Sequence, residues 1–397
     1  MRFPEFTDEW KICKVGDYGK IITGSTPPTS DNTNYAGGTQ LWASPVDLGQ
    51  TKFVTDTQTK LSSIGFSKTR KLPVGSVLVT CIGSTIGKMG MAATEMSTNQ
   101  QINSIVVDSQ YDNHFVYYAL QSRFPRYLTS VAVQAVPIMS KSSFEKLQNY
   151  RTTFKEQKKI GALLNLIDER ISAQNRIIDK LKSLMQGLIN ELMDNPKWTK
   201  IYVGDFMEFY STNSLSWEQL NYNDGQVHNL HYGLIHSGLP TLVDCHKISL
   251  PYIQDASLPK QYVICKDGDV AFADASEDTA EVGKAVELTN IGTQTIACGL
   301  HTIHGRDVKN IMVGGFKGFA FNSKYFHDQL RRIAQGSKVY SINTDNVKSC
   351  YIYIPTIDEQ QKIVGLLCCM QEKMGIAEEE LRQYTIQKQF LLKGLFV

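Results

Sequence analysis

A chain of 397 residues, 42% of them hydrophobic and 20% charged, has apolar material for more than one core. It has no apolar run near the ~20 residues a membrane span needs, and its start, Met1-Arg-Phe-Pro-Glu-Phe-Thr-Asp-Glu-Trp10, lacks an apolar signal core, so it reads as cytoplasmic. A net charge of +2 neither favours nor excludes a nucleic-acid partner, and eight cysteines without a CxxC pair read as buried free thiols rather than a disulfide framework.

In chain order, Trp10-Lys-Ile-Cys-Lys-Val-Gly-Asp17 opens a region of short β-rich runs and turns. Within it, Val74-Gly-Ser-Val-Leu-Val-Thr80 predicts a buried strand after a turn, and 115–122 a short helix. From 155 to 193 the apolar residues Ile160, Leu163, Ile167, Ile171, Ile177, Leu181, Leu184, Leu188 and Leu192 recur every three or four positions, with no Pro between them. The plan then repeats. Trp198-Thr-Lys-Ile-Tyr-Val-Gly-Asp205 echoes the first motif, Gly268-Asp-Val-Ala-Phe272 predicts a second buried strand, and 325–333 a helix. From 359 to 395 a second stripe contains Ile363, Leu366, Met370, Met374, Ala377, Leu381, Tyr384, Leu391 and Leu395. Two further matches keep the same order. Phe154-Lys-Glu-Gln-Lys-Lys-Ile-Gly-Ala-Leu-Leu164 returns as Ile357-Asp-Glu-Gln-Gln-Lys-Ile-Val-Gly-Leu-Leu367, and Leu184-Met-Gln-Gly-Leu-Ile189 as Leu391-Leu-Lys-Gly-Leu-Phe396. Ordered matches of this kind are what a tandem duplication leaves.

The expected fold is therefore α+β, with two tandem α/β domains separated by two long antiparallel helices forming a coiled coil, in a pseudo-twofold internal repeat. The expected boundaries are 1–153 and 195–355 for the domains, and 154–194 and 356–397 for the helices. At ~1.5 Å per residue, ~39 residues make a rod of about 58 Å.

Catalytic signatures are missing. A base methyltransferase needs a glycine-rich cofactor turn and an Asn/Asp-Pro-Pro-aromatic loop; Pro27-Pro28 and Asn195-Pro-Lys-Trp198 supply neither. Gly83-Ser-Thr-Ile-Gly-Lys88 is one residue short of a phosphate loop, and Met89 stands where a hydroxyl should meet magnesium. His228-Asn-Leu-His231 and His301-Thr-Ile-His304 lack a matching cysteine or acidic set, so no metal is expected.

Two similar domains on a stiff spacer suit two DNA half-sites a fixed distance apart. Base reading needs Arg, Lys, Asn, Gln, Ser or Thr on ordered loops. The first domain offers Lys68, Arg70, Lys71, Ser84, Thr85, Lys88, Asn99, Gln100 and Gln101; the second offers Lys284, Arg331, Arg332, Ser337, Lys338 and Tyr340. Residues 1–153 carry a net +4, but 195–355 a net −2, so the second domain must cluster its bases locally.

The sequence resembles type I restriction–modification specificity subunits. The likeness rests on Phe3-Pro-Glu-Phe6, Trp10 and Val15-Gly-Asp17, on Gly75-Ser-Val-Leu-Val79 with Gly83–Lys88, and on the Glu-Gln-x-x-Ile motifs at Glu156, Gln157, Ile160 and at Glu359, Gln360, Ile363. Ile354-Pro355 and the closing 391–396 motif fit as well. In the second domain, His231-Tyr-Gly-Leu-Ile-His236, Asp269-Val-Ala-Phe-Ala-Asp274 and Val282-Gly-Lys284 are similar to one of the family's recurrent domain variants, and there the Gly83 loop is echoed only in part. The resemblance implies a non-catalytic chain that reads one half of an asymmetric double-stranded DNA target with each domain. It implies two modification subunits that carry S-adenosylmethionine and methylate adenine N6, and two ATP- and magnesium-dependent restriction subunits that would complete an endonuclease. This chain itself would bind no cofactor. Spacing and docking would fall to Glu156, Gln157, Ile160, Leu163, Ile167, Leu181 and Leu188, and to Glu359, Gln360, Ile363, Leu366, Met370, Leu381 and Leu391. The alternatives are the specificity chain of a fused nuclease–methylase (type IIB-like) system and a helical scaffold that binds no DNA.

Overall fold

In the computed structural model, which describes residues 1–129, 137–279 and 281–396, the chain divides into two compact units. The first is Met1–Arg176 with Glu378–Val397, and the second is Ile177–Ala377.

The core of the first unit is a five-stranded sheet running Gly19–Thr23, Ile102–Val107, Val77–Thr80, Met89–Ala92 and Phe53–Val54 across its width. The first three junctions are antiparallel and the last is parallel. A three-stranded sheet lies beside it, and Lys11–Lys14 pairs with Gln148–Arg151. The second unit repeats this order as Met207–Tyr210, Thr302–Asp307, Val270–Ala273, Ala285–Thr289 and Leu242–Asp244, with the same orientation at every junction. A four-stranded sheet accompanies it, and Thr199–Tyr202 pairs with Tyr351–Ile354. The two expected strands are central in their sheets and fully buried, since both faces are covered. The short helices expected at 115–122 and 325–333 form as Asn113–Leu128 and Lys324–Ile333. The second unit adds Phe316–Phe321 before its helix.

The long helices run Phe154–Met193 and Ile357–Leu395. On the first, Ile160, Leu164, Ile167, Ile171, Gln174, Ile178, Leu181 and Met185 are buried or half-buried, alternating in steps of four and three. On the second, the same alternation runs unbroken through Gln360, Ile363, Leu367, Met370, Met374, Ala377, Leu381, Tyr384, Lys388, Leu391 and Leu395. This is heptad spacing. Within the first unit the two helix segments meet at Asp168–Lys388 (2.7 Å) and Gln174–Glu380 (3.0 Å). Within the second, Met185, Ile189 and Met193 share a core with Ile363 and Leu367. In the first unit, rising numbers on one helix meet falling numbers on the other, so the packing there is antiparallel.

The inward set differs in phase from the expected stripe. Ile177, Leu184 and Leu366 are exposed, and Ile178, Met185 and Leu367 point inward instead. Leu163 and Leu188 flank the seam, half-buried. On the first helix the cause is Gln174, which occupies a seam position that an apolar-only pattern skips, so the pattern takes Ile177 in place of Ile178; Lys388 is also inward but leaves Tyr384 and Leu391 in phase.

The Glu-Gln-x-x-Ile motif has a local explanation. Gln157 Nε2 donates to the Thr152 carbonyl (2.7 Å), and its Oε1 accepts from the Asp112 amide (3.0 Å), tying the helix start to the turn before Asn113–Leu128. Gln360 does the same in its unit, donating to the Pro355 and Ile311 carbonyls and accepting from the Val313 amide (2.9 Å). Glu156 is buried and accepts from Arg2, Trp10 and Thr152, whose bonds hold its carboxyl below the usual range against the opposing effect of burial. Glu359 is exposed and caps its helix with Thr356, accepting from its amide at 3.2 Å.

Candidate nucleic-acid interface

In each unit, the two strands at the centre of the five-stranded sheet are joined by a hairpin loop. The loops are 81–88 and 274–284, and the two close with the same backbone bonds. Thr80 N donates to Lys88 O (2.9 Å), Gly87 N to Thr80 O (2.9 Å) and Lys88 N to Thr85 O (3.1 Å). The counterparts are Ala273 N to Lys284 O (2.9 Å), Gly283 N to Ala273 O (2.8 Å) and Lys284 N to Glu281 O (3.2 Å). Gly87 and Gly283 have φ of 93° and 78°, a region that suits glycine. A Cβ there would also fall 2.8 Å from the Phe124 ring or 2.4 Å from Leu330, on the helix that follows in each unit. The echo that looks partial in sequence is therefore complete in backbone geometry.

The segment after that helix returns along the loop. Met139 N donates to Cys81 O (2.8 Å) and Gly83 N to Pro137 O (3.0 Å) in the first unit. In the second, Ile342 N donates to Asp274 O (2.9 Å), and Ala275–Ser276 pairs with Tyr340–Ser341.

This arrangement gathers many of the expected base readers. In the first unit, Ser84 and Lys88 are exposed on the loop, Thr85 is half-buried, and Lys88 has no ion pair among the described residues. Exposed Gln100 accepts from the Thr26 hydroxyl, and Gln101 donates through its backbone to Asn99 Oδ1 (3.1 Å). Asn99 is 8% exposed and donates to Gln101 Oε1 (2.9 Å), so it shapes the turn rather than offering a free amide. Arg70 donates to the Thr23 carbonyl (2.7 Å), Lys68 to Asn34 Oδ1 (2.7 Å), and Lys71 lies 3.9 Å from Glu95. These three cations are exposed but partly engaged within their own unit.

In the second unit, Ser337 and Lys338 are exposed beside half-buried Tyr340, and Lys338 has no ion pair among the described residues. Lys284 pairs with Glu281 (3.0 Å) and Arg331 with Asp328 (3.6 Å), while Arg332 is exposed at the helix end. The loop itself carries Asp274, Glu277, Asp278 and Glu281 against Lys284, so the local clustering of bases expected for this domain is not found on it.

Sequence reasoning missed a buried polar cluster under the second sheet. Asp269 accepts from Arg306 through both oxygens (2.7 Å each) and lies 2.7 Å from His304 Nε2. Burial disfavours a charged His304, but Asp269 and the Cys265 sulfur together outweigh it and lift the imidazole to about 9. The signal was His304 itself, two places from Arg306 on one face of a strand. His301 diverges and lies 3.1 Å from Asp274.

Residues 7–183 match the family model described as Type I restriction modification DNA specificity domain. Among curated proteins, the chain is 32% identical over 144 residues to the Type I restriction enzyme HindI specificity subunit of Haemophilus influenzae, covering 35% of this chain and 31% of that one. It is 26% identical over 187 residues to the MjaIX specificity subunit of Methanocaldococcus jannaschii, covering 44% and 42%. The match to the MjaVIII specificity subunit of the same organism is 21% identical over 417 residues and covers 100% and 93%. The alignment thus spans under half the length of the first two relatives. Among solved structures, the type I S subunit from M. genitalium superposes with a TM-score of 0.60 at 15% identity, covering 98% of this chain and 96% of that one. That likeness carries the fold of two tandem α/β domains with their long helices. Residues 7–183 are thus similar to the DNA specificity domain of type I restriction–modification systems, and the chain along its length is similar to type I specificity subunits. No helix among the described residues is long and apolar enough to cross a membrane.

Proposed function

We propose that the chain is the DNA-specificity subunit of a type I restriction–modification complex, non-catalytic in itself, with each unit reading one half of an asymmetric bipartite target. One observation carries this reading. Two units with one strand order and one hairpin closure present different exposed side chains: Ser84, Lys88 and Gln100 in the first, Arg332, Ser337 and Lys338 in the second. A shared frame with unlike polar tips is what two unlike half-sites require. Lys68, Arg70 and Lys71 would serve the phosphate backbone.

The long helices would set the gap between half-sites and dock two modification subunits. In support, they leave Leu166, Ile177, Leu184, Leu366, Ile376, Ile386 and Phe390 between 47% and 61% exposed, more apolar surface than a solvent-facing helix needs. S-adenosylmethionine would sit on the modification subunits, and ATP and magnesium on two restriction subunits. The cytoplasm, where the DNA is, would be the place of action.

The test is methylation mapping of a genome that expresses this chain with its modification subunit. A two-part motif with a fixed gap and unlike halves supports the reading; a continuous or palindromic motif, or no methylation, refutes it. Removing one matched heptad from both long helices should shorten the gap, and an unchanged gap would refute the spacer role.

A further inference from the structure

Three potential ligands meet in the interior of the second unit. Cys265 Sγ and Cys298 Sγ lie 3.6 Å apart, and these sulfurs and a His304 ring nitrogen all lie within 4.8 Å of one another. Their exposures are 2%, 3% and 0%. Asp269 sits against His304 Nε2 and fixes a proton there, so a cation that displaces the second ring proton would meet the lone pair of Nδ1. Nδ1 is buried and has no hydrogen-bond partner, which is costly for an acceptor unless something fills the role. A carboxylate behind a histidine whose free nitrogen faces two thiols is the outer-support geometry of metal-bound histidines.

We propose that Cys265, Cys298 and His304 bind one thiophilic d10 cation, zinc, with Asp269 and Arg306 as outer support. Charge favours it. Two thiolates neutralise a divalent ion, and Asp269 is neutralised by Arg306, so the buried group as a whole is uncharged. Zinc with three protein ligands of the Cys2His type keeps a fourth position for another donor. The ion would join the four-stranded sheet, which holds Cys298 in Ile296–Cys298, to the five-stranded sheet, which holds His304 in Thr302–Asp307. Cys265 enters beside the Ile264–Ala297 bridge.

The first unit shows that the fold does not itself demand these side chains. By sheet register, His304 opposite Ala271 corresponds to Ser104 opposite Leu78, and Cys298 beside Leu230 to Thr98 beside Ala43. Cys265 N bonds Ile296 O as Leu72 N bonds Met96 O, and Asp269 follows Gly268 as Ser76 follows Gly75. All four members of the set are replaced there by Leu, Thr or Ser.

The full chain, purified under reducing conditions, should carry one equivalent of zinc by elemental analysis. After chelation it should take up cobalt(II) at one equivalent, with a thiolate-to-cobalt charge-transfer band and the visible bands of a tetrahedral ion. Cys298→Thr and Cys265→Leu, which install the first unit's residues, should keep the circular dichroism of the parent and lose the charge-transfer band. Asp269→Asn should weaken metal affinity by roughly 10–100-fold. The proposal is overturned if the reduced parent takes up no cobalt, if the band survives in Cys298→Thr, or if Cys265 and Cys298 form a disulfide and bind no metal once it is reduced.

Discussion

The side chain of Gln157 should be worth far more to this protein than a surface glutamine. Gln157→Leu keeps the volume close and removes both polar ends, so the Thr152 carbonyl and the Asp112 amide lose their partner together. Gln157 is 2% exposed, and each backbone group left unpaired in such a place costs about 1–3 kcal/mol. The apolar leucine returns part of that, so the net loss should be roughly 2–4 kcal/mol against a domain stability of about 5–15 kcal/mol. At about 2–4 °C per kcal/mol for a domain of this size, the first unit should melt roughly 5–15 °C lower. Urea denaturation gives the free energy, and amide exchange at Asp112 reports the site directly. Gln360→Leu should have the same effect on the second unit, through Val313. A loss below about 1 kcal/mol, or unchanged protection at Asp112, would refute the argument that this motif exists to fasten each helix start to its own domain.

Gly87→Ala and Gly283→Ala should each cost about 1–3 kcal/mol, because alanine must adopt a left-handed backbone and meet Phe124 or Leu330; denaturant midpoints equal to the parent's would contradict this. Lys52 is 8% exposed, and its ammonium is held down to about 7, first by burial and further by Lys388, with Asp168 acting the other way. Between about 7 and its ordinary value of 10.5, the unfolded chain holds a proton that the native chain has released, so this lysine makes stability rise with pH across that window. Lys52→Met should remove that rise, and parallel stability–pH curves for the two proteins would rule the effect out. Lys88→Ala and Lys338→Ala should each weaken binding to target duplex by about 1–3 kcal/mol if the lysine reads a base; affinities equal to the parent's in both would remove them from the interface.

The parts of this fold that repeat in sequence were the legible parts. Three ordered matches marked the duplication, and two Pro-free stripes marked the long helices. The seam phase was legible on most of the second helix but slipped on the first, because Gln174 is held inward by Glu380 on the other helix, which an apolar pattern cannot see. The hairpin echo was hidden for a different reason. Its bonds are backbone to backbone, so only Gly87-Lys88 and Gly283-Lys284 leave a trace in the side chains. Asn99 looked like a free amide because nothing in sequence announces that Gln101 closes on it. The cysteine–histidine cluster was beyond reach, since Cys265 and Cys298 are 33 positions apart and only the folded sheets bring them to His304.

The independence of the two readers is the claim on which the functional account stands. Its most direct measurement is methylation mapping with a chimera in which residues 1–153 come from a relative of different specificity, expressed beside the parent chain's modification subunit. One half of the methylated motif should change, while the other half and the gap stay as they were. A motif that changes in both halves, or in neither, would contradict it.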